Sequence, residues 1–201
     1  MDEKSANLTK LQQTIVSQQV GADLAAQAQQ LVFGEGSADA EIVFVGEAPG
    51  KKEDETGRPF IGAAGRLLDE LIASISLDRS AVYITNIVKY RPPNNRDPLP
   101  EEKQVFLPFL WQQIAIINPK VVVTLGRHSL QCFRPELKIS EVHGMAQQLA
   151  WDEGVAADYK PQLRLLPLYH PAAALYNGGL RQTLFADMQR LDALLGRDEE
   201  A

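Results

Sequence analysis

Four short apolar runs, each released into a loop and followed by a helical pattern, constrain this chain most. Residues 41–46, 81–88, 120–125 and 163–168 are rich in Val, Ile and Leu and lack the polar alternation of a half-exposed strand. Continuous apolar runs of this length belong to strands buried on both faces, as in a parallel sheet covered by helices. The intervening segments supply those helices. Leu67, Leu68, Leu71, Ile72 and Ile75 recur at helical spacing within 62–75; residues 99–117 open on Pro100-Glu101-Glu102, which suits a helix start; residues 179–195 form a last helix. Residues 6–31 are Ala/Gln/Leu-rich without proline and predict one or two helices with a break near Gly21. The alternation predicts an α/β fold: three αβα layers, with a central, mainly parallel four-stranded sheet flanked by helices. Pro167 removes one ladder donor from the strand at 163–168, and the mixed stretch 139–160 predicts a hairpin or meander.

Composition narrows the class. At 201 residues and 45% hydrophobic, the chain fits one domain spanning 1–201, with a helical segment at 1–31 and an acidic tail at 197–201. No apolar run approaches the ~18 residues of a membrane span, and Met1-Asp2-Glu3-Lys4-Ser5 does not begin a secretory signal, so a cytoplasmic protein with no membrane partner is expected. Cys132 is the only cysteine, which excludes an internal disulfide and any site built from several thiolates. Gln131 and Phe133 beside it suggest a packed, inert helix residue. The net charge of −6 argues against a general nucleic-acid binder. Its distribution matters more: residues 41–196 carry 17 basic and 18 acidic side chains, which leaves room for the local basic clusters Lys51-Lys52, Arg58 with Arg66, and Lys89-Tyr90-Arg91 with Arg96. Solvated charge on ordinary loops is the competing reading of each.

In sheets of this kind, ligands bind beyond the carboxyl ends of the strands, so the loops 46–60, 86–96 and the segment from His170 onward converge on one crevice. Gly46, Pro49 and Gly50 permit a sharp turn and a close approach to a ligand. The Gly-rich turn, an aromatic at Phe60 and a distant His170-Pro171 together suit a pocket for a flat base. A phosphate-binding loop is the obvious competitor, but the Gly-Lys-Ser/Thr ending is absent, and Glu53 and Asp54 would repel a triphosphate.

Gly46-Glu47-Ala48-Pro49-Gly50, residues 56–62, Thr85-Asn86-Ile87-Val88-Lys89 with Arg91-Pro92-Pro93, Asn95-Arg96-Asp97-Pro98, residues 119–126 and Tyr169-His170-Pro171-Ala172 together resemble the family 4 uracil-DNA glycosylases, in order and spacing, over most of 32–196. The resemblance implies excision of uracil from DNA by hydrolysis of the N-glycosidic bond, on a nucleotide extruded from the helix. It implies catalytic roles for Glu47, beside the attacking water, and for His170, as a hydrogen-bond donor to the departing base. It implies uracil contacts from Gly46, Ala48, Phe60 as the stacking ring, Asn86, and Glu53 at the C5 edge. An amide at Asn86 can donate to O4 of uracil and accept from N3–H, the reverse of what cytosine offers. Lys51, Lys52, Arg58, Arg91 and Arg96 become candidates for phosphate contact, and the segment from Pro171 to Gly179 offers Leu175 or Tyr176 as a wedge into the gap left by the base. A core Phe60, a strand-capping Asn86 and a solvated Glu53 are the competing readings. His128 and His143 lie outside the matched motifs and read as structural.

The implied partner is uracil-containing DNA, met by a monomer. A catalytically silent base-binding module, or a glycosylase for other deaminated bases, is the alternative. The chain departs from the family at one place. Members typically hold a [4Fe-4S] cluster on four cysteines, whereas this chain has Val20, Asp23, Tyr90 and Phe106 at about those positions. No metal cofactor is therefore expected: packing would replace the cluster at three positions, and Asp23 would pair with a nearby cation.

Overall fold

The computed structural model describes residues 2–149 and 163–196. Helices α1 (Glu3–Ser17) and α2 (Ala22–Ala25) lead into strands β1 (Glu35–Gly36) and β2 (Ile42–Gly46). There follow α3 (Lys51–Thr56), α4 (Ala63–Ala73), β3 (Tyr83–Asn86), α5 (Pro100–Ile117), β4 (Val121–Leu125), α6 (Arg127–Phe133), α7 (Ile139–Val142) and β5 (Gln147–Gln148). The chain ends in β6 (Arg164–Leu168), α8 (Pro171–Ala174), α9 (Gly178–Met188) and α10 (Arg190–Leu195).

The sheet order is β1-β3-β2-β4-β6-β5; the four inner strands are mutually parallel and the two edges antiparallel. Strand β2 shows why its sequence carries no polar alternation. Ile42 and Phe44 pack on one face against Leu67, Leu68, Leu71 and Ile72 of α4 and Leu184 and Met188 of α9. Val43 and Val45 point the other way, toward Ile15 of α1 and Leu110 and Ile114 of α5. Each face is dry, and each such leucine contributes about 1.5–3 kcal/mol of burial. Helix α5 starts where Pro100 fixes φ and the Glu102 carboxylate accepts the Leu99 N–H at 2.7 Å.

The expected four strands are present, but the sheet has six among the described residues. The two additions are two-residue edges, Glu35-Gly36 against Tyr83-Ile84 and Gln147-Gln148 against Arg164-Leu165. Neither has an apolar signature, because an edge this short is held by its neighbour's backbone. Within the stretch expected as a hairpin or meander stand α7 and β5; residues 150–162 and the acidic tail at 197–201 lie outside the described residues. The last expected helix divides into α9 and α10 at Gln189. No helix among the described residues is long and apolar enough to cross a membrane.

Only Tyr83–Asn86 of the apolar run 81–88 pairs as a strand. Beyond it, Ile87 N–H donates to the Gly46 carbonyl at 3.0 Å and Val88 N–H to the Glu47 carbonyl at 3.1 Å. The parallel arrangement brings the ends of β2, β3, β4 and β6 to one rim of the sheet.

Candidate active site

At that rim, Gly46 and Asn86 are register partners on adjacent strands. A Cβ on Gly46 would stand 2.3 Å from Asn86 Oδ1 and 2.5 Å from Phe60 Cζ, so only glycine lets the amide and the ring share this corner. Asn86 is 1% exposed, and its Oδ1 is enclosed with no hydrogen-bond partner. A buried carbonyl left unpaired costs about 1–3 kcal/mol, which marks an acceptor kept for something that enters the site.

Phe60 is presented by a strained loop. Its φ is +50°, a conformation rare for an aromatic residue, and three contacts hold it. Arg79 donates to the carbonyls of Pro59 (2.6 Å) and Phe60 (3.3 Å) while its guanidinium rests on Asp69 (2.7 Å). Gly65 allows α4 to pack directly on this backbone, since a Cβ there would meet the Phe60 carbonyl at 1.8 Å. Glu53 Oε1 accepts the N–H groups of Ile61 and Gly62, both at 2.9 Å. Glu53 thus braces the loop from inside while lining the cavity.

His170 follows β6 and caps α8: its Nδ1 accepts the Ala172 N–H at 3.1 Å. That bond makes Nε2 the protonated nitrogen of the neutral ring. Burial, aided by His128, pulls its pKa down to about 4, so the ring is neutral at physiological pH. Its centroid lies 5.7 Å from that of Phe60, with the planes tilted by 30°.

Glu47 follows Gly46. Its Oε1 is enclosed without a hydrogen-bond partner, and burial, reinforced by Asp97, raises its pKa to about 7. His128 Nε2 stands 3.6 Å from this oxygen and 3.1 Å from Asp97 Oδ2, with Arg127 Nε also 3.1 Å away. His128, whose place outside the motifs reads as structural, thus stands directly beside Glu47. It stands two residues past Gly126, the turn that ends β4, so the carboxyl-end rule that singled out the other loops applies to it as well. His143 fits the structural reading, with Nδ1 2.7 Å from Asp187 and its ring beside Tyr169.

A cavity of about 360 Å³ opens here, and Glu47, Ala48, Glu53, Phe60, Asn86, Arg96 and His170 all line it. Asp97, Asn95, Pro92 and Ala64 line it too; the first three stand in the motifs that carry the resemblance but received no site role from the sequence. A second cavity, about 320 Å³, shares Glu47, Asp97 and His170 and adds His128, Arg127 and Tyr169. Glu47, Asp97 and His128 present ligating atoms within 4.8 Å of one another, the one such group among the described residues.

The expected DNA contacts divide. Lys51 and Lys52 are exposed on α3, at the mouth of the Gly-rich turn. Arg96 lines the cavity while paired with Glu102 at 2.5 and 2.8 Å. Arg91 donates to Asn95 at 2.7 Å and lies 3.9 Å from Asp54. Arg58 is held by both oxygens of Glu35, at 2.7 and 3.0 Å, and does not line the cavity. Pro171 is buried at the first position of α8, and Leu175 packs against the core. The exposed large hydrophobic side chain of that loop is Tyr176, at 97%.

A family model described as the uracil DNA glycosylase superfamily matches residues 33–190. The chain belongs to this superfamily. Among its relatives, a protein of Sulfurisphaera tokodaii is 47% identical over 169 residues, covering 81% of this chain and 74% of that protein. One from Archaeoglobus fulgidus is 45% identical over 174 residues (84% and 83%), and one from Thermotoga maritima 41% identical over 170 (84% of each). All three carry the name Type-4 uracil-DNA glycosylase.

No cysteine stands at the four positions where the family resemblance implies iron-sulfur ligands. Val20 and Tyr90 pack into the core with Phe106, and the Tyr90 and Phe106 rings meet edge-on at 6.1 Å. Phe106 fills the space so fully that a Cβ on Gly21 would lie 2.5 Å from its ring. Asp23 is exposed and makes no ion pair among the described residues. Cys132 sits on α6, largely buried, with its thiol pKa raised by burial to about 11, too high for a reactive thiolate.

Proposed function

We propose that this chain is a monofunctional uracil-DNA glycosylase that acts as a single chain and carries no iron-sulfur cluster. The observation that carries the reading is the unpaired Asn86 Oδ1, buried in a cavity that also holds a constrained aromatic ring and a neutral histidine. Uracil extruded from DNA stacks on Phe60, gives its N3–H to Asn86 Oδ1 and takes the amide N–H at O4. Glu53, fixed by two backbone N–H groups, stands as a wall at the C5 edge.

Hydrolysis joins a water oxygen to C1′ and breaks the C1′–N1 bond, whose electron pair leaves with the base. With its pKa near 4, His170 is neutral, and because its Nδ1 accepts the Ala172 N–H the remaining N–H, at Nε2, donates a hydrogen bond to the developing anion at O2. Glu47, once ionised, orients the water, accepts its proton and faces the cationic sugar. Lys51, Lys52 and Arg96 meet phosphates, and Tyr176, in place of the packed Leu175, fills the gap in the duplex.

A uracil-containing oligonucleotide, incubated with the enzyme and cleaved by alkali at abasic sites, tests the reading. Product must exceed that of the His170→Ala variant, and equal product from the two overturns it. Iron analysis of anaerobically purified protein tests the cofactor: stoichiometric iron with visible absorption near that of a cluster refutes its absence.

A further inference from the structure

Lys89 belongs to a cluster for which the sequence offers a local basic patch or solvated loop charge, yet it is 0% exposed. Its Nζ donates to Thr85 Oγ1 (2.7 Å), to the Asn86 carbonyl (2.7 Å) and to Gln113 Oε1 (2.5 Å). Each acceptor has its own hydrogens committed elsewhere. The Thr85 hydroxyl donates to the Phe33 carbonyl at 2.7 Å, and the Gln113 amide nitrogen donates to that carbonyl and to the Tyr83 hydroxyl at 3.1 and 3.3 Å. Three acceptors around one nitrogen match the three N–H bonds of an ammonium; a neutral amine would leave one acceptor facing its lone pair. The Phe33 ring centroid, 5.8 Å from Nζ, adds a cation–π contact. Burial opposes this charge and draws the pKa well below that of a free lysine. Among the described residues, no carboxylate pairs with it.

We propose that Lys89 is a positioning residue of the base pocket: its ammonium fixes the Asn86 peptide and, through it, biases the pocket toward the anionic form of the departing base. The backbone supports this role. Lys89 is anchored by the Val32 N–H, which donates to its carbonyl at 2.8 Å, and Ile87 and Val88, between Asn86 and Lys89, hold the Gly46 and Glu47 carbonyls. One buried cation therefore sets the strand end that carries the reading amide and the turn that carries Glu47. A dipole or charge aimed at developing negative charge acts on the transition state more than on the ground state. A residue that only stabilised the fold would not distinguish one leaving group from another.

The inference rests on the glycosylase reading, and the test separates the two. Single-turnover cleavage of uracil and of 5-fluorouracil in the same oligonucleotide is measured for wild type and Lys89→Met, with thermal unfolding as a check on folding. Fluorine stabilises the base anion by itself, so the fluorinated base demands less from the pocket. Lys89→Met is expected to slow uracil release by about tenfold or more and 5-fluorouracil release by a factor roughly threefold smaller. Gln113→Glu places a carboxylate against the ammonium without removing it, is expected to give the same ordering of losses, and decides the matter alone if Lys89→Met does not fold. Equal losses on both bases, or none, overturn the inference while leaving the glycosylase reading intact. A wild-type enzyme inert on both bases overturns both.

Discussion

The raised pKa of Glu47 makes the reaction's acid limb a direct report on the cavity. If the ionised carboxylate prepares the water, the single-turnover rate follows its ionised fraction, with a midpoint at about pH 7. That fraction is roughly a tenth one unit below the midpoint and nine-tenths one unit above it, so the rate climbs about tenfold between pH 6 and 8 and then levels. His170, with its pKa near 4, stays neutral throughout and adds no limb of its own. The perturbation is Asp97→Asn. Burial is the larger cause of the Glu47 shift and Asp97 the second, opposed by Lys103 and Arg127, so the limb moves to lower pH but stays above the ordinary carboxylate value of 4.5. His128, whose own pKa is lowered by burial, loses its 3.1 Å ionic neighbour in the variant and is charged over less of the range. A shift of one unit would raise the rate at pH 6, relative to plateau, by about fivefold. Rates on a labelled uracil oligonucleotide from pH 5.5 to 8.5, normalised to each plateau, give the midpoints. A midpoint that does not move in Asp97→Asn, or a limb that survives unchanged in Glu47→Gln, refutes the assignment of the limb to Glu47.

The same group makes a stability prediction of definite sign. Below pH 4.5 Glu47 is protonated in both folded and unfolded chains; between 4.5 and about 7 the unfolded chain ionises first, so native stability falls as pH rises. Glu47→Gln should therefore raise the melting temperature at pH 8 and leave it unchanged at pH 4, as read by thermal unfolding at the two pH values. Gly46→Ala forces a methyl into the corner shared by Asn86 and Phe60; it should cost about 1–3 kcal/mol of stability from overpacking and on the order of 100-fold in kcat/KM. Activity near wild type in that variant would show that the two side chains do not need their present separation. Phe106→Ala should lose about 3–5 kcal/mol in urea unfolding, since the ring fills a fully buried site, and added iron should restore none of it.

The parallel strands were legible because burial on both faces leaves its mark in every residue, and β2 and β4 show it over their whole length. The edge strands were not, because Glu35-Gly36 and Gln147-Gln148 owe their state to the strands beside them. The site divides in the same manner. Asn86, Phe60 and His170 could be placed at one crevice from the sequence because each stands where an apolar run breaks or a glycine-rich turn forms, whereas Glu47 was singled out by the family resemblance; all four line the cavity. The nearness of Asp97 and His128 to Glu47 was not legible, because the sequence places each near the rim but encodes no distance between their side chains. The burial of Lys89 was not legible for a related reason: its side chain lies among acceptors from β3 and α5, and sequence proximity to Arg91 says nothing about that.

Where the family resemblance implies cluster cysteines, this chain places side chains that pack. A cluster would tie the segment near Gly21, the turn near Tyr90 and helix α5 together through four bonds; Val20, Tyr90 and Phe106 join the same three segments by packing. Gly21 carries the cost of that solution, since its φ of +68° and its approach to the Phe106 ring admit no side chain. Tyr90 lies between Lys89, which holds Asn86, and Arg91, so the plug and the pocket are consecutive along one strand exit. Loosening the plug should therefore reach the base pocket through Lys89 before it reaches the remote helices. A Phe106→Leu variant that kept its fold would be expected to lose discrimination between uracil and cytosine ahead of its melting temperature, and one that melted first with base selectivity intact would contradict that order.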